Sequence, residues 1–223
     1  MINIYQENHN LYASANQAPD FDQDRAKLLG KWLKDIPIPS RSLDIGCANG
    51  GFSNLLPTST EKWGLDFQHH PSLPASFNFI SVDIAEYWPV PDLYFDIVLA
   101  GEVIEHVLDT DLFLNQCYRV LKPGGHLLLT TPNLVSFANL RYWVQADQYM
   151  WVDSGASQFG HVRYLAPKRM ELALRKAGFY EILMASSSGL ESLSKIPYLR
   201  TWLQKLFPLR GNRLCVRAQK PLQ

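Results

Sequence analysis

The segment RSLDIGCANGG, residues 41–51, decides the fold of this chain. It begins as a short apolar strand that reaches Asp44 and continues into a loop of small residues. Glycines in such a loop let the backbone turn tightly and let a ligand approach the peptide groups. Residues 52–56 are predicted to begin a helix, whose first N–H groups and positive dipole end favour a polar ligand. In open α/β sheets, such a crevice at strand carboxyl ends binds nucleoside-containing cofactors.

The loop departs from the dinucleotide-binding fingerprint, which has glycine at its first, third and sixth positions. Ala48 stands where the second of those glycines is required, and the acid Asp44 lies two residues before Gly46. An NAD-dependent oxidoreductase is therefore an alternative that the loop disfavours.

Further predicted strands end in polar residues that belong at the same edge of the sheet. Residues 62–66, KWGLD, end in Asp66, about twenty residues beyond the loop, where Rossmann-like folds place an acid on the ribose hydroxyls. Residues 77–82 precede Asp83 and Ile84, and residues 95–101 run into Glu102. A helical apolar period over 112–121 then precedes a break at 122–125 and a fifth strand over 126–131.

Alternating strands and helices predict an α/β fold, a Rossmann-like seven-stranded mainly parallel sheet with helices on both faces and one antiparallel edge strand. A helix over about 20–34 makes residues 1–40 an N-terminal helical cap ahead of a single domain at 41–223. Residues 133–165 interrupt the alternation and are predicted to form an acceptor-binding lid insertion. Its aromatic side chains are expected either to stack on an acceptor ring or sugar or to fill a small core of the lid itself. They are Phe137, Tyr142, Trp143, Tyr149 and Trp151.

In this order the motifs resemble those of class I S-adenosylmethionine (SAM) methyltransferases. The resemblance rests on residues 41–51, on WGLD at 63–66, on Asp83-Ile84, and on RVLKPGGHLLLTTPN at 119–133. It covers residues 41–133, and more loosely 161–219. It implies a methyltransferase of the type 11/23 kind, similar to ubiquinone-biosynthesis-type O-methyltransferases, that binds SAM. The implied cofactor-binding residues are Asp44, Gly46, Cys47, Ala48, Asn49, Gly50, Asp66, Phe67, Asp83, Ile84, Gly101 and Glu102.

Carried over from that family, each part of the cofactor has an expected place. The loop from Gly46 to Gly50 approaches the methionine part, and Asp44 faces its ammonium group. Asp66 holds the ribose, while Asp83 and Ile84 frame the adenine.

The run EVIEHV, residues 102–107, carries a second group of candidate residues. Glu102, Glu105 and His106 are spaced to share one face of a helical turn. Together with His161 they are similar to the small-RNA 2′-O-methyltransferases, in which two Glu and two His hold a divalent metal. The resemblance implies the ligands Glu102, Glu105, His106 and His161, with Mg, Mn, Fe or Zn suited to such a set.

Two alternatives without a metal stay open for the same residues. In one, His106 or His161 is the catalytic general base that removes a proton from the acceptor. In the other, Glu102 lines the cofactor pocket and His106 is an ordinary, partly buried side chain.

Charge is balanced overall, with 21 basic and 21 acidic residues, but it is unevenly placed. Residues 192–223 contain no acid, and residues 192–210 are predicted as a contact for a membrane or a protein partner. The alternative is that a helical stripe there packs on the sheet. The basic residues of this part are Lys195, Arg200, Lys205, Arg210, Arg213, Arg217 and Lys220, and the apolar stripe is Leu199, Trp202, Leu203, Leu206 and Phe207.

Three further observations bear on the compartment. No apolar run reaches the 18 or so residues of a membrane span, and the first residues lack a signal-peptide pattern. Cys47, Cys117 and Cys215 are scattered, which disfavours a disulfide framework. A cytoplasmic location is expected.

The sequence predicts a SAM-dependent methyltransferase that O-methylates a small-molecule or glycan hydroxyl. The alternatives are a SAM-binding but catalytically inactive subunit of a larger complex, and an RNA 2′-O-methyltransferase. A nucleic-acid acceptor is disfavoured by the neutral charge balance and by the lack of a basic patch near the predicted cleft.

Overall fold

The computed structural model describes residues 23–146, 161–187 and 197–222. Its strands are β1 (Arg41–Ile45), β2 (Glu61–Asp66), β3 (Asn78–Ser81), β4 (Phe95–Gly101), β5 (Leu121–Pro132), β6 (Tyr180–Ser187) and β7 (Arg213–Gln219). Its α-helices are α1 (Gln23–Leu33), α2 (Thr110–Val120), α3 (Phe137–Ala146), α4 (Pro167–Lys176) and α5 (Pro197–Leu206). Two single 3₁₀ turns, Ser53–Leu55 and Ile104–His106, follow β1 and β4.

The seven strands form one sheet in the order β3-β2-β1-β4-β5-β7-β6. Neighbouring strands from β3 to β5 are parallel, whereas β7 is antiparallel to both β5 and β6. The predicted α/β fold is confirmed, and the antiparallel strand is β7, with β6 outside it. The direction of chain progression reverses between β1 and β4. A ligand crevice is expected at that switch point, at the carboxyl ends of the strands.

The central strands are buried because helices cover both faces of the sheet. Alternate residues of β4 enter two different apolar clusters, one on each face. One cluster contains Phe113 of α2 and Met170 of α4. The other contains Leu29 and Trp32 of α1, so this helix shares its core with the sheet. The predicted boundary between a cap and a domain at residue 40 stays a prediction.

The helix predicted over residues 52–56 is wrong. Only the 3₁₀ turn Ser53–Leu55 forms there, and Leu56 is already extended, with φ −91° and ψ 151°. Pro57 explains this ending, because the residue before a proline is kept out of the α region by the proline ring. The crevice therefore lacks the long helix and the strong dipole end that the sequence suggested.

Parts of several predictions lie outside the described residues. These parts are the start of the predicted N-terminal helix at residues 20–22, Tyr149 and Trp151 of the predicted lid, and Lys195 of the basic segment. Among the helices that are described, none is long and apolar enough to cross a membrane. Cys47, Cys117 and Cys215 are buried and form no disulfide, as the scattered spacing predicted.

Asn133, fully buried, fixes the chain where β5 leaves the sheet. Its side-chain amide donates to the carbonyl oxygens of Leu209 and Gly211, at 2.9 and 2.7 Å. Its own carbonyl accepts from the Asn139 amide at 2.9 Å. These bonds hold the start of α3 beside the connection from α5 to β7, at the carboxyl edge of the parallel strands.

Candidate functional site

The loop after β1 turns through three left-handed residues, Gly46, Ala48 and Gly50, with φ of 64°, 42° and 76°. At Gly46 a Cβ atom would lie 2.6 Å from Cγ2 of Val103, closer than any real contact. Glycine is therefore required at this position by both conformation and space. Ala48 adopts the same unfavourable region with a side chain, which adds strain at this loop.

Two strand-terminal acids hold this loop in place. The Asp44 carboxylate accepts from the Ser53 hydroxyl at 2.8 Å, which ties β1 to the 3₁₀ turn. The Asp66 carboxylate accepts from the backbone N–H of Ala48 at 2.9 Å and from that of Phe67 at 2.7 Å. Asp66 therefore orders the loop through two of the roughly four acceptor positions that a carboxylate offers.

Asp44 lies in an apolar environment and is almost fully buried. Burial raises its pKa to about 7, and the hydrogen bond from Ser53 opposes this only in part. The free protein therefore has a carboxyl group at the base of the loop that is protonated in mildly acidic solution. A positive ligand group beside it would favour the ionised form.

The other predicted cofactor residues line the same edge or support it. Cys47 is turned inward, so that a Cβ at Gly64 of β2 would lie 2.7 Å from its sulfur. Asn49 accepts from the N–H of Gly51 at 3.1 Å. Asp83 accepts from the N–H of Ala85 at 2.9 Å.

Two further candidates pack against apolar neighbours. Ile84 lies partly buried against the core, and its carbonyl oxygen accepts from the Trp88 indole at 3.1 Å. Gly101 ends β4, where a Cβ would lie 3.3 Å from the Phe52 ring.

Glu102 does not share a helical face with Glu105 and His106, contrary to the sequence prediction. Its backbone is left-handed, with φ 57°, because it precedes the 3₁₀ turn rather than lying within it. Its carboxylate pairs with Arg25 at 3.2 Å and with Arg213 at 2.8 Å. This acid is therefore engaged by two guanidinium groups.

Arg25 is a site residue that the sequence analysis missed. It belongs to α1, is nearly fully buried, and also donates to the Thr130 hydroxyl of β5 at 3.3 Å. Its spacing to Leu29 and Trp32 places it on the apolar stripe of α1. An arginine on an apolar stripe was the available signal, because buried charges are normally paired.

Glu105, His106 and His161 form a cluster at the end of β4. One side-chain nitrogen or oxygen of each lies within 4.8 Å of the others. The two imidazole rings stand edge to face with their centroids 4.8 Å apart. The N–H groups of Val162 and Arg163 donate to the carbonyl oxygen of Glu105 at 2.9 and 3.0 Å, which brings the segment after the insertion back to β4.

Burial disfavours the charged forms of Glu105 and His161. Burial, and then the charge of Glu102, raise the pKa of Glu105 well above its ordinary value. One carboxyl oxygen of Glu105 accepts from the Thr131 hydroxyl at 3.0 Å, and the other, Oε1, has no hydrogen-bond partner within the described residues. Burial, His106 and Arg213 together lower the pKa of His161 to about 4.

A buried carboxyl group beside two imidazoles has two chemical uses. An imidazole accepts a proton from a hydroxyl group held within hydrogen-bond distance. One carboxylate and two imidazoles are also a common ligand set for a divalent transition metal. Glu102 lies outside this set, so the structure brings together three of the four predicted ligands.

Comparison with known proteins places the chain among methyltransferases. A family model described as a methyltransferase domain matches residues 15–183. A probable S-adenosylmethionine-dependent methyltransferase of Mycolicibacterium smegmatis is 32% identical over 143 residues, which is 61% of this chain and 51% of that protein. The mitochondrial ubiquinone biosynthesis O-methyltransferase of Mus musculus is 29% identical over 162 residues, which is 67% of this chain and 42% of that protein.

The matched part of these two curated relatives is about half of their length, or less. Among solved structures, a phosphoethanolamine N-methyltransferase 2 of Haemonchus contortus in complex with S-adenosyl-L-methionine superposes with a TM-score of 0.63. It is 20% identical, and the match covers 88% of this chain and 52% of that one. At this identity the likeness concerns the fold.

The first prediction concerns the pairing of Glu102 with its two arginines. Glu102→Ala should lower the free energy of unfolding by about 3 kcal/mol, because the buried Arg25 loses the carboxylate that balances its charge. Glu102→Gly should lose about 1 kcal/mol less, because glycine relieves the left-handed backbone. Chemical denaturation of both variants and of the wild-type protein measures these two losses of stability.

Glu181 provides a matched control. It is also left-handed, with φ 45°, but it is exposed and no ion pair to it is recorded within the described residues. Glu181→Ala should change stability by less than about 0.5 kcal/mol. Equal losses for alanine at both positions would show that the arginine pairs contribute nothing.

The second prediction concerns the buried carboxyl of Asp44. Because its pKa is raised from near 4 to about 7, the folded protein keeps a proton that the unfolded chain releases in this range. The stability that this proton supplies is complete below about pH 4 and is lost as the pH rises to about 7, at up to about 1.4 kcal/mol per pH unit.

Asp44→Asn keeps a side-chain oxygen for Ser53 and removes the titration. Unfolding free energies measured from pH 4.5 to 7.5 should fall more steeply for the wild-type protein than for this variant. Parallel curves would contradict the buried, protonated state.

Proposed function

The chain belongs to the methyltransferase domain family, and we propose that it transfers the methyl group of SAM to a hydroxyl oxygen of a small molecule or glycan. The main support for an oxygen acceptor is the cluster of Glu105, His106 and His161. A hydroxyl acceptor must lose a proton, and this cluster offers bases for that step. The name of the mouse relative, an O-methyltransferase, supports the same assignment.

The proposed cofactor position follows the crevice between β1 and β4. The loop from Gly46 to Gly50 contacts the methionine part, and the ionised Asp44 attracts its ammonium group. Asp66 accepts hydrogen bonds from the ribose hydroxyls. Asp83 and Ile84 lie beside the adenine, with Gly101 and Glu102 at the side that faces the acceptor.

The reaction is a direct displacement. The acceptor oxygen forms a bond to the methyl carbon while the bond from that carbon to the sulfonium breaks, which leaves S-adenosylhomocysteine. Holding the two partners in line can supply roughly 7–11 kcal/mol of the rate enhancement. The hydroxyl proton passes to an imidazole, and His106 is the better candidate because the low pKa of His161 makes that ring a weak base.

The third prediction tests the activity and its cofactor site together. The protein is incubated with SAM carrying a labelled methyl group and with cell extract, which is then separated into small molecules, lipids and glycans, RNA, and protein. Label should enter the small-molecule or glycan fraction as an O-methyl group identified by NMR. Asp66→Ala should weaken SAM binding by about 1–3 kcal/mol, because it removes a partner of buried hydroxyls.

His106→Ala should slow transfer roughly 10²–10⁴-fold at saturating SAM, with SAM affinity unchanged. His126→Gln is the matched control, since His126 lies at the opposite end of the sheet, paired with Ile97 near the start of β4. Label in RNA would favour the 2′-O-methyltransferase alternative instead. SAM binding without label in any fraction would favour an inactive cofactor-binding subunit.

A divalent metal is the second candidate, and it concerns the same cluster. Glu105, His106 and His161 would hold it, since one buried oxygen of Glu105 lacks a partner within the described chain and His161 is neutral. A bound metal would act as a Lewis acid that lowers the pKa of the acceptor hydroxyl. Glu102 fits less well as a ligand because Arg25 and Arg213 already engage both of its oxygens.

The fourth prediction separates these ligand sets by calorimetry with Mn²⁺ and Zn²⁺. Wild-type protein should bind one ion with release of a proton, because the Glu105 carboxyl must ionise. Glu105→Gln should weaken binding at least tenfold, whereas Glu102→Gln should not. Loss in both variants would restore the four-ligand set, and no binding by the wild-type protein would reject the metal.

A further inference from the structure

Helix α5 turns an apolar face outward. Tyr198, Trp202 and Leu206 recur at a spacing of four residues, so they lie along one side of the helix. Tyr198 is 89% exposed and Trp202 is 56% exposed, and Leu206 is exposed as well. A helix that only packed on the sheet would bury this side. The alternative that this stripe packs on the sheet is therefore wrong for Trp202, Leu206 and Phe207.

Helix α3 adds a second exposed apolar group beside it. Trp143 and Val144 are 54% and 82% exposed, and Tyr142 is exposed too. The two helices meet where the rings of Phe137 and Phe207 pack edge to face, 5.6 Å between centroids. These exposed side chains of α3 and α5, together with Phe207, are called the aromatic surface below.

Within the described residues, helices α3 and α5 carry only basic charged residues. Neither α3 nor α5 contains an acidic residue, and Arg141 and Lys205 are exposed on them. No acid occurs from residue 192 to residue 223, so no carboxylate of this part opposes the cations. The partner that fits is one with an apolar layer beneath an anionic layer.

The aromatic surface lies at a defined edge of the sheet. Helix α3 follows the carboxyl end of β5, and α5 lies between the end of β6 and the start of β7. Because β7 is antiparallel, its first residue also lies at that edge. The candidate site and the aromatic surface therefore occupy the same side of the molecule.

We propose that the aromatic surface docks on an anionic lipid membrane. Tryptophan and tyrosine favour the boundary between acyl chains and headgroups, because their rings are apolar and their N–H or O–H groups are polar. Lysine and arginine beside them are attracted to anionic headgroups. This inference concerns binding alone and does not depend on the proposed activity.

A second copy of the chain is a poorer occupant of this face. A two-fold dimer would place the same surface on both subunits. The exposed Arg141 and Lys205 of each copy would then face cations of the other, with no acid on either helix to separate them. Anionic headgroups supply the missing charge.

Vesicle sedimentation tests the docking with the purified chain. Vesicles of phosphatidylglycerol and phosphatidylcholine in equal parts should bind it, and vesicles of pure phosphatidylcholine should bind much less. Tyr198→Ser and Trp202→Ser should each weaken binding severalfold. Lys205→Glu should weaken vesicle binding roughly 5–25-fold, because it lowers the net charge by two units and each unit changes binding by up to roughly fivefold. Salt at about 0.5 M should weaken it further by screening.

Matched controls are available on other parts of the surface. Tyr87 is exposed, and Tyr87→Ser should bind vesicles like the wild type. Lys34→Glu makes the same charge change before β1, at the opposite edge of the sheet. Circular dichroism should show all variants folded. Equal binding to both vesicle types, equal losses in the controls, or a dimer that Trp202→Ser dissociates would each overturn the proposal.

Discussion

The chain turns back at the edge of the sheet, between β1 and the 3₁₀ turn that follows it, through residues with left-handed backbone conformation. The rest of the site depends on the contacts that fix this turn. Two carboxylates perform that task from two neighbouring parallel strands. Asp44 accepts a hydrogen bond from the Ser53 hydroxyl, and Asp66 accepts one from the N–H of Ala48. Because both strands end at the same edge, their terminal acids lie on either side of one loop. A crevice with ordered backbone groups results without a long helix behind it.

Glu102 and Glu105 have different roles although they are three residues apart. The left-handed backbone of Glu102 directs its carboxylate to Arg25 and Arg213, which join α1 and β7 to the end of β4. Glu105 lies within the following turn, buried against Thr131. Burial and then the negative charge of Glu102 raise the pKa of Glu105, so the two acids influence each other through space. Glu102 therefore joins structural elements and also raises the pKa of Glu105, which lies beside the two histidines.

The aromatic surface and the candidate site share the carboxyl edge of the sheet for a topological reason. Every long connection that follows a parallel strand starts at that edge, and β5 and β6 are followed by α3 and α5. Asn133 fastens these two connections to each other with bonds to Leu209 and Gly211. A membrane bound by this surface would lie on the same side of the protein as the crevice proposed for the cofactor.

The sequence by itself determined the order of strands and helices, because apolar periodicity and strand-ending acids are local properties of the chain. It also placed Asp44, Gly46 and Asp66 at one edge, since parallel strands end together. The resemblance also grouped His161 with His106, which the structure brings into contact. The sequence did not predict that the turn at Ser53–Leu55 is so short, or that Arg25 pairs with Glu102. That ion pair joins residues far apart in the chain, and it depends on the backbone conformation of Glu102. Only the tertiary structure decided that the carboxylate of Glu102 pairs with arginines and that Glu105 lies beside imidazoles. The physical reason is that spacing along a chain fixes a shared face only while the backbone stays helical.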